Sequence, residues 1–183
     1  MAGQKEVVLA GFGGQGVMTA GQLLAYAGMA EGKQVIWIPS YGPEMRGGTA
    51  NCTVVISDSR IGSPIINNPI SACVFNRPSL DKFAPLIRPG GQLLINSSLI
   101  DVKSGRTDIT EVLIPANDIA MKAGSPKVLN MVMLAAYVEQ TDIVKFATLE
   151  KILTEKMGSK PELLEINRTA LAEGRKVIGK AKV

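Results

Sequence analysis

The sequence predicts an α/β fold: a single-domain, doubly wound, mostly parallel sheet with an antiparallel hairpin and a helical C-terminus. Three observations lead there. Short apolar runs of strand length alternate with helix-periodic segments, the pattern of a sheet covered on both faces. A glycine-rich turn stands between the first such run and the first helix, where a strand–helix–strand unit places it. From residue 118 onward the chain reads as helix after helix. At 183 residues, 46% of them hydrophobic and 20% charged, it is sized for one domain over residues 1–183, with a core that needs neither disulfide nor metal.

Residues 5–10 (KEVVLA) form a buried strand, residues 11–16 a glycine loop, and residues 17–31 a helix. That helix places Val17, Ala20, Leu24 and Ala27 on one face and ends at Gly32. Residues 34–38 (QVIWI) give a second strand, parallel to the first through a right-handed crossover. In residues 49–57, Ala50, Cys52, Val54 and Ile56 alternate with more polar positions, and Asp58-Ser59-Arg60 turns the chain into residues 61–66, the expected antiparallel hairpin. A short strand follows at 70–75. A helix at 76–87 is entered through Pro78 and ended near Arg88-Pro89-Gly90-Gly91. Strands at 92–95 and 111–114 precede helices at 118–123, 128–140, 149–157 and 162–178.

Composition excludes several functions. The net charge is +4, and part of the excess lies in Arg175, Lys176, Lys180 and Lys182. This tail has no aromatic partner, so it reads as a solvated helix end favoured by the macrodipole and not as a nucleic-acid surface. The most apolar stretch, residues 128–138, contains Asn130 and is shorter than the ~20 residues a bilayer span needs. With no signal-peptide pattern at the start, the expectation is a cytoplasmic protein without membrane contact. There is no histidine, so this chain alone builds no Ser-His-Asp site, no Cys-His site and no His-ligated metal. Its two cysteines, Cys52 and Cys73, are too few for an iron–sulfur cluster and fit a reduced compartment. The sequence thus offers no catalytic residue and no metal site of its own.

Two loops carry the chemical information. Gly11-Phe12-Gly13-Gly14-Gln15-Gly16 fits G-x-G-x-x-G after a strand and at the head of a helix, a Rossmann-like setting. Its glycines permit a tight turn, close approach of backbone to a ligand, and helix–sheet packing, with helix N–H groups facing an anion. Dinucleotide binding also wants a carboxylate about 20 residues on, at the end of the second strand. Residues 34–40 contain no acid, so that fingerprint is half present. The same glycines also suit helix packing alone, or close approach of a partner's ligand or backbone. The second loop, Ser40-Tyr41-Gly42-Pro43-Glu44-Met45-Arg46-Gly47-Gly48, leaves the second strand at the carboxyl edge of the sheet, where open α/β sheets place their sites. Arg46 beside the N–H groups of Gly47 and Gly48 suits an anion nest, and a Glu44–Arg46 pair on a rigid turn is the plainer reading. Asn76-Arg77, Asn96-Ser97-Ser98 and Asn117-Asp118 place polar groups after later strands, each explicable singly as a cap or turn.

GFGGQG followed by SYGPEMRGG resembles the gamma subunit or domain of 2-oxoacid:ferredoxin oxidoreductases. The likeness covers most of the chain, including the Arg88-Pro89-Gly90-Gly91 turn and the Asn130-containing helix, and leans toward the 2-oxoglutarate or branched-chain members. The resemblance implies a part in oxidising a 2-oxoacid and coenzyme A to an acyl-CoA and CO2, with electrons passing to ferredoxin. It implies that Gly11, Gly13, Gly14, Gln15 and Gly16, with Ser40, Tyr41, Gly42, Pro43, Glu44, Arg46, Gly47 and Gly48, form active-site-facing or ligand-positioning loops. Thiamine diphosphate, Mg and iron–sulfur clusters are then expected on alpha, beta and ferredoxin-like delta subunits, and none on this chain. The competing expectation is a stand-alone nucleotide-binding regulatory module that uses GFGGQG for phosphate.

Overall fold

The computed structural model describes residues 3–41 and 48–181. Among them six strands form one sheet in the order β2-β3-β1-β4-β5-β6: β1 Gln4–Phe12, β2 Gln34–Tyr41, β3 Thr49–Ser57, β4 Ser71–Val74, β5 Gln92–Asn96 and β6 Thr110–Ile114. β1, β4, β5 and β6 run parallel, each hydrogen-bonded to the next. The helices are α1 Val17–Ala30, α2 Arg77–Phe83, α3 Ala116–Lys122, α4 Leu129–Thr141, α5 Phe146–Met157 and α6 Pro161–Ala181.

The antiparallel hairpin exists, but it is not where the sequence placed it. β3 pairs antiparallel with β2 along one edge and with β1 along the other. Residues 61–66 form no strand. Both edges of β3 are occupied, so no ladder remains for that segment, and Pro64 lacks the N–H a ladder would use. β1 and β2 run parallel as expected, yet they are not neighbours, because β3 lies between them.

The two sheet faces are filled unequally. On one, Val7, Leu9, Cys52, Val54, Ile56, Cys73, Phe75 and Leu94 join the apolar sides of α1, α4, α5 and α6 in the larger core. On the other, Val8, Ala10, Ala72, Val74, Leu93 and Ile95 pack under α2 with Leu80, Phe83 and Ile87. α4 is the central helix: residues 129–138 are all buried, as an all-round apolar helix requires. It is tied to the sheet by polar contact as well. The Tyr137 hydroxyl lies 2.9 Å from Ser71 Oγ, which donates to the Glu6 carbonyl at 2.6 Å. α6 approaches α4 through Gly174, where a Cβ would stand 2.4 Å from the Val132 carbonyl oxygen. Gly32 and Gly124 end α1 and α3 at φ 73° and 112°, the left-handed region glycine enters freely.

Candidate functional site

The register of the sheet decides where the two loops stand. Tyr41 at the end of β2 pairs with Ala50 at the start of β3, and Ala50 pairs with Gly11. β1 therefore delivers its glycine loop to the same edge at which β2 ends and β3 begins. The Gly13 N–H donates to the Gly48 carbonyl at 2.9 Å, which joins the two motifs directly. Ser40 pairs with Asn51 inside the β2–β3 ladder. Gly42, Pro43, Glu44, Arg46 and Gly47 lie outside the described residues, and the nest and ion-pair readings of that loop with them.

Within the first loop the glycines divide the work differently from the sequence reading. Gly11 is the last-but-one residue of β1, not a turn residue, and a Cβ there would sit 2.9 Å from Phe75 Cβ and 2.6 Å from Gln15 Oε1. Gly14 makes the turn, at φ 98°, and faces open space. Gly16 has φ 74°, and its close neighbour is not the sheet but Asn130 of α4, 2.4 Å from where a Cβ would stand. Gln15 turns inward. Its Oε1 accepts the Phe12 N–H at 2.7 Å and its Nε2 donates to the Phe75 carbonyl at 3.4 Å, bracing the loop against β4.

Gly16 is the N-cap of α1; no side chain among the described residues caps it, and the first turn holds no acidic residue. The first intrahelical bond runs from the Ala20 N–H to the Gly16 carbonyl, so the N–H groups of Val17, Met18 and Thr19 have no helix partner. Aligned peptide dipoles add about half a positive charge there. A neutral, rigid, glycine-bordered donor set of this kind suits an anionic oxygen.

The polar groups after the later strands stand on this edge too, mostly in structural roles. Asn76 caps α2, its Oδ1 accepting the Ser79 N–H at 2.9 Å. Asn96 Nδ2 donates to the Phe75 carbonyl at 3.3 Å and to Asn117 Oδ1 at 2.8 Å, binding the ends of β4, β5 and α3 together. Asn117 lies on α3 itself, beyond the strand end the sequence suggested. Ser98 Oγ donates to Asp118 Oδ2 at 3.1 Å. Asn76 Nδ2 and Asn96 Oδ1 are buried and find no partner among the described residues.

Both thiols of this chain are buried away from the rim. Burial pushes the Cys52 thiol up to about 12 and raises Cys73 further, so both stay protonated and inert. They flank Leu9 on two different strands of the larger core. Among the described residues no group of three or more His, Cys, Asp or Glu side chains comes together to hold a metal, and no helix is long and apolar enough to cross a membrane. The dinucleotide arrangement is also unmet. With β3 inserted, the ends of β1 and β2 are about 10 Å apart, two strand spacings, where the ribose-binding acid of a dinucleotide fold needs adjacent strands. What fold and site define is an α/β domain that presents backbone donors at the carboxyl edge of its parallel strands.

Comparison with known proteins places it. The chain belongs to the pyruvate ferredoxin/flavodoxin oxidoreductase family, whose model matches residues 6–177. It is 44% identical over 129 residues to ketoisovalerate oxidoreductase subunit VorA of Methanothermobacter marburgensis, covering 70% of this chain but 27% of that protein. With 2-oxoglutarate synthase subunit KorC of Methanocaldococcus jannaschii it shares 35% identity, over 95% of this chain and 94% of KorC. The crystal structure of a keto/oxoacid ferredoxin oxidoreductase gamma subunit from Geobacter sulfurreducens superposes with a TM-score of 0.83 at 29% identity, over 96% of this chain and 99% of that one. The 2-oxoglutarate:ferredoxin oxidoreductase of Magnetococcus marinus, solved with 2-oxoglutarate, coenzyme A and succinyl-CoA bound, shows the same fold with a TM-score of 0.90 at 24% identity, over 98% of this chain and 32% of that one. In extent and fold the chain is a gamma-type domain of the 2-oxoacid:ferredoxin oxidoreductases, standing by itself in some relatives and forming about a quarter to a third of a longer polypeptide in others.

Proposed function

We propose that this chain is the gamma component of a 2-oxoacid:ferredoxin oxidoreductase that works in the cytoplasm with alpha, beta and ferredoxin-like delta chains. The complex would convert a 2-oxoacid and coenzyme A to an acyl-CoA and CO2, and pass the electrons to ferredoxin. Thiamine diphosphate, its Mg ion and the iron–sulfur clusters would reside on the partner chains. The described residues of this chain do not fit them, because the two thiols are buried on separate strands and no acidic cluster that could hold a metal is found among the described residues. The chain alone would therefore be inactive.

Its own contribution would be to close the assembled active-site region with the rim that carries both loops. The observation that supports this most is the N-terminus of α1, which no described side chain caps, beside the Gly13–Gly48 contact. It offers preorganised N–H groups, which stabilise a phosphate or carboxylate without reorganisation. Arg46 on the neighbouring loop would add a charge-assisted contact to the same anion, and the packed glycine loop would keep water from the reacting carbon. Relatives that act on 2-oxoglutarate or ketoisovalerate support those substrate classes ahead of pyruvate.

The test is the Arg46→Ala variant in the complex assembled from all subunits. The expected result is a KM for coenzyme A or for the 2-oxoacid raised about tenfold, the scale of one lost charge-assisted bond. Unchanged KM values for both and unchanged turnover would retire the role.

A further inference from the structure

α4 carries one carboxamide in a stretch where it has no packing reason to be. Residues 129–138 are all buried, and Asn130 is 5% exposed among leucine, methionine, valine and alanine. Asparagine is a poorer helix former than any of those except valine, and an unpaired buried amide is costly. Its partner explains it. Asn130 Nδ2 donates at 3.1 Å to the carbonyl of Gly16, 114 residues away, which already accepts the Ala20 N–H at 3.0 Å. The fit is reciprocal: Gly16 has no side chain because Asn130 fills the space, with Cγ 2.7 Å from where a Cβ would stand.

We propose that Asn130 is a positioning residue for ligand capture at the glycine loop. Its amide pins the Gly16 carbonyl from the interior side, holds Gly16 left-handed, and so fixes the direction in which the first-turn N–H groups of α1 face the rim. Asn130 never touches the ligand. The effect falls on binding, because donors that must first be ordered bind more weakly while the later chemistry is untouched. This inference rests on the reading that the rim meets an anionic group in the assembled enzyme.

The experiment has two arms so that the two ideas fail separately. In the isolated chain, Asn130→Ala is expected to speed amide hydrogen exchange at residues 14–20 while exchange in β1 and β4 holds. In the assembled complex the same variant is expected to raise the KM for coenzyme A about fivefold to tenfold, the cost of one hydrogen bond, with kcat within twofold. Met133→Ala, a core truncation one turn along α4, controls for stability and is expected to lower Tm without the KM shift. Asn130→Asp places a carboxylate against the Gly16 carbonyl and is expected to be worse than Ala at neutral pH. Its defect shrinks as pH falls and the carboxyl regains a proton to donate. Unchanged exchange at residues 14–20 overturns the positioning role itself. Altered exchange with an unchanged KM overturns the proposal at the other link, the loop's contact with the coenzyme.

Discussion

Adding one methyl group at Gly16 and at Gly14 gives sharply different costs, although both glycines have positive φ and stand two residues apart in one motif. At Gly16 (φ 74°) the new Cβ meets Asn130 Nδ2 at 2.4 Å, Cγ at 2.7 Å and Cβ at 3.1 Å. The left-handed backbone costs an alanine about 1–2 kcal/mol, and forcing a methyl into a packed site adds about 1–3 kcal/mol. At Gly14 (φ 98°) nothing lies within 4 Å, so only the conformational part remains. For a domain of this size each kcal/mol lowers Tm by about 2–4 °C. Gly16→Ala should then lower Tm by roughly 10 °C and Gly14→Ala by roughly 4 °C. Thermal unfolding followed by circular dichroism, confirmed by urea titration, reads the difference. A third variant isolates the steric part: in Gly16→Ala/Asn130→Ala the obstructing amide is gone, so the double variant should be less destabilised than the two singles summed. Equal losses at Gly14 and Gly16, or strict additivity in the double variant, would refute the account of how α4 holds the loop.

Three further outcomes follow from the packing. Gly174→Ala should destabilise by about 2 kcal/mol even though alanine is the better helix former, because its Cβ meets the Val132 backbone and pushes α6 off α4; a more stable variant in urea would contradict this. Glu6 is 1% exposed and paired with the half-exposed Arg88. Arg88→Ala should cost about 2 kcal/mol by stranding that carboxylate, and adding Glu6→Gln should recover part of it; no recovery would show that the pair is not the cause. Cys52, raised by burial to about 12 from 9.0, and Cys73, raised further, should resist alkylation at pH 8 in the native chain and label only on unfolding. Because the unfolded thiols ionise near 9 and the folded ones do not, the unfolded state binds fewer protons above that pH, and stability should fall as pH rises from about 9 toward 12. Prompt labelling, or stability flat across that window, would count against burial as the cause.

Much of the fold was legible because it follows from local pattern. β1, α1, β2 and the helices after residue 116 are written in periodicity and in glycines that must end helices, such as Gly32 and Gly124. The misplaced hairpin shows the limit. Residues 49–57 read as a strand with a neighbour, but alternation does not say which neighbour, and the partners proved to be β2 and β1 instead of the segment that follows. The site was legible in the same partial way. GFGGQG announced a tight backbone, yet the inward turn of Gln15 and the dependence of Gly16 on Asn130 involve atoms 60 and 114 residues apart in the chain. A lone asparagine in an apolar helix was the available signal for the second of these.

By itself the sequence determined that the chain is α/β, that with no histidine and two cysteines it builds no His-ligated metal and no four-thiolate cluster, and that two glycine-bordered loops hold its distinctive residues. Composition and local spacing suffice for such statements, since they concern which groups exist and what each backbone segment can adopt. Only the tertiary structure decided that β3 inserts between β1 and β2, which takes away the dinucleotide geometry and brings Gly13 against Gly48. Strand order is settled by which edges and faces bury the most surface with every ladder bond made, a competition among the whole set of strands and helices that no single stretch of residues encodes.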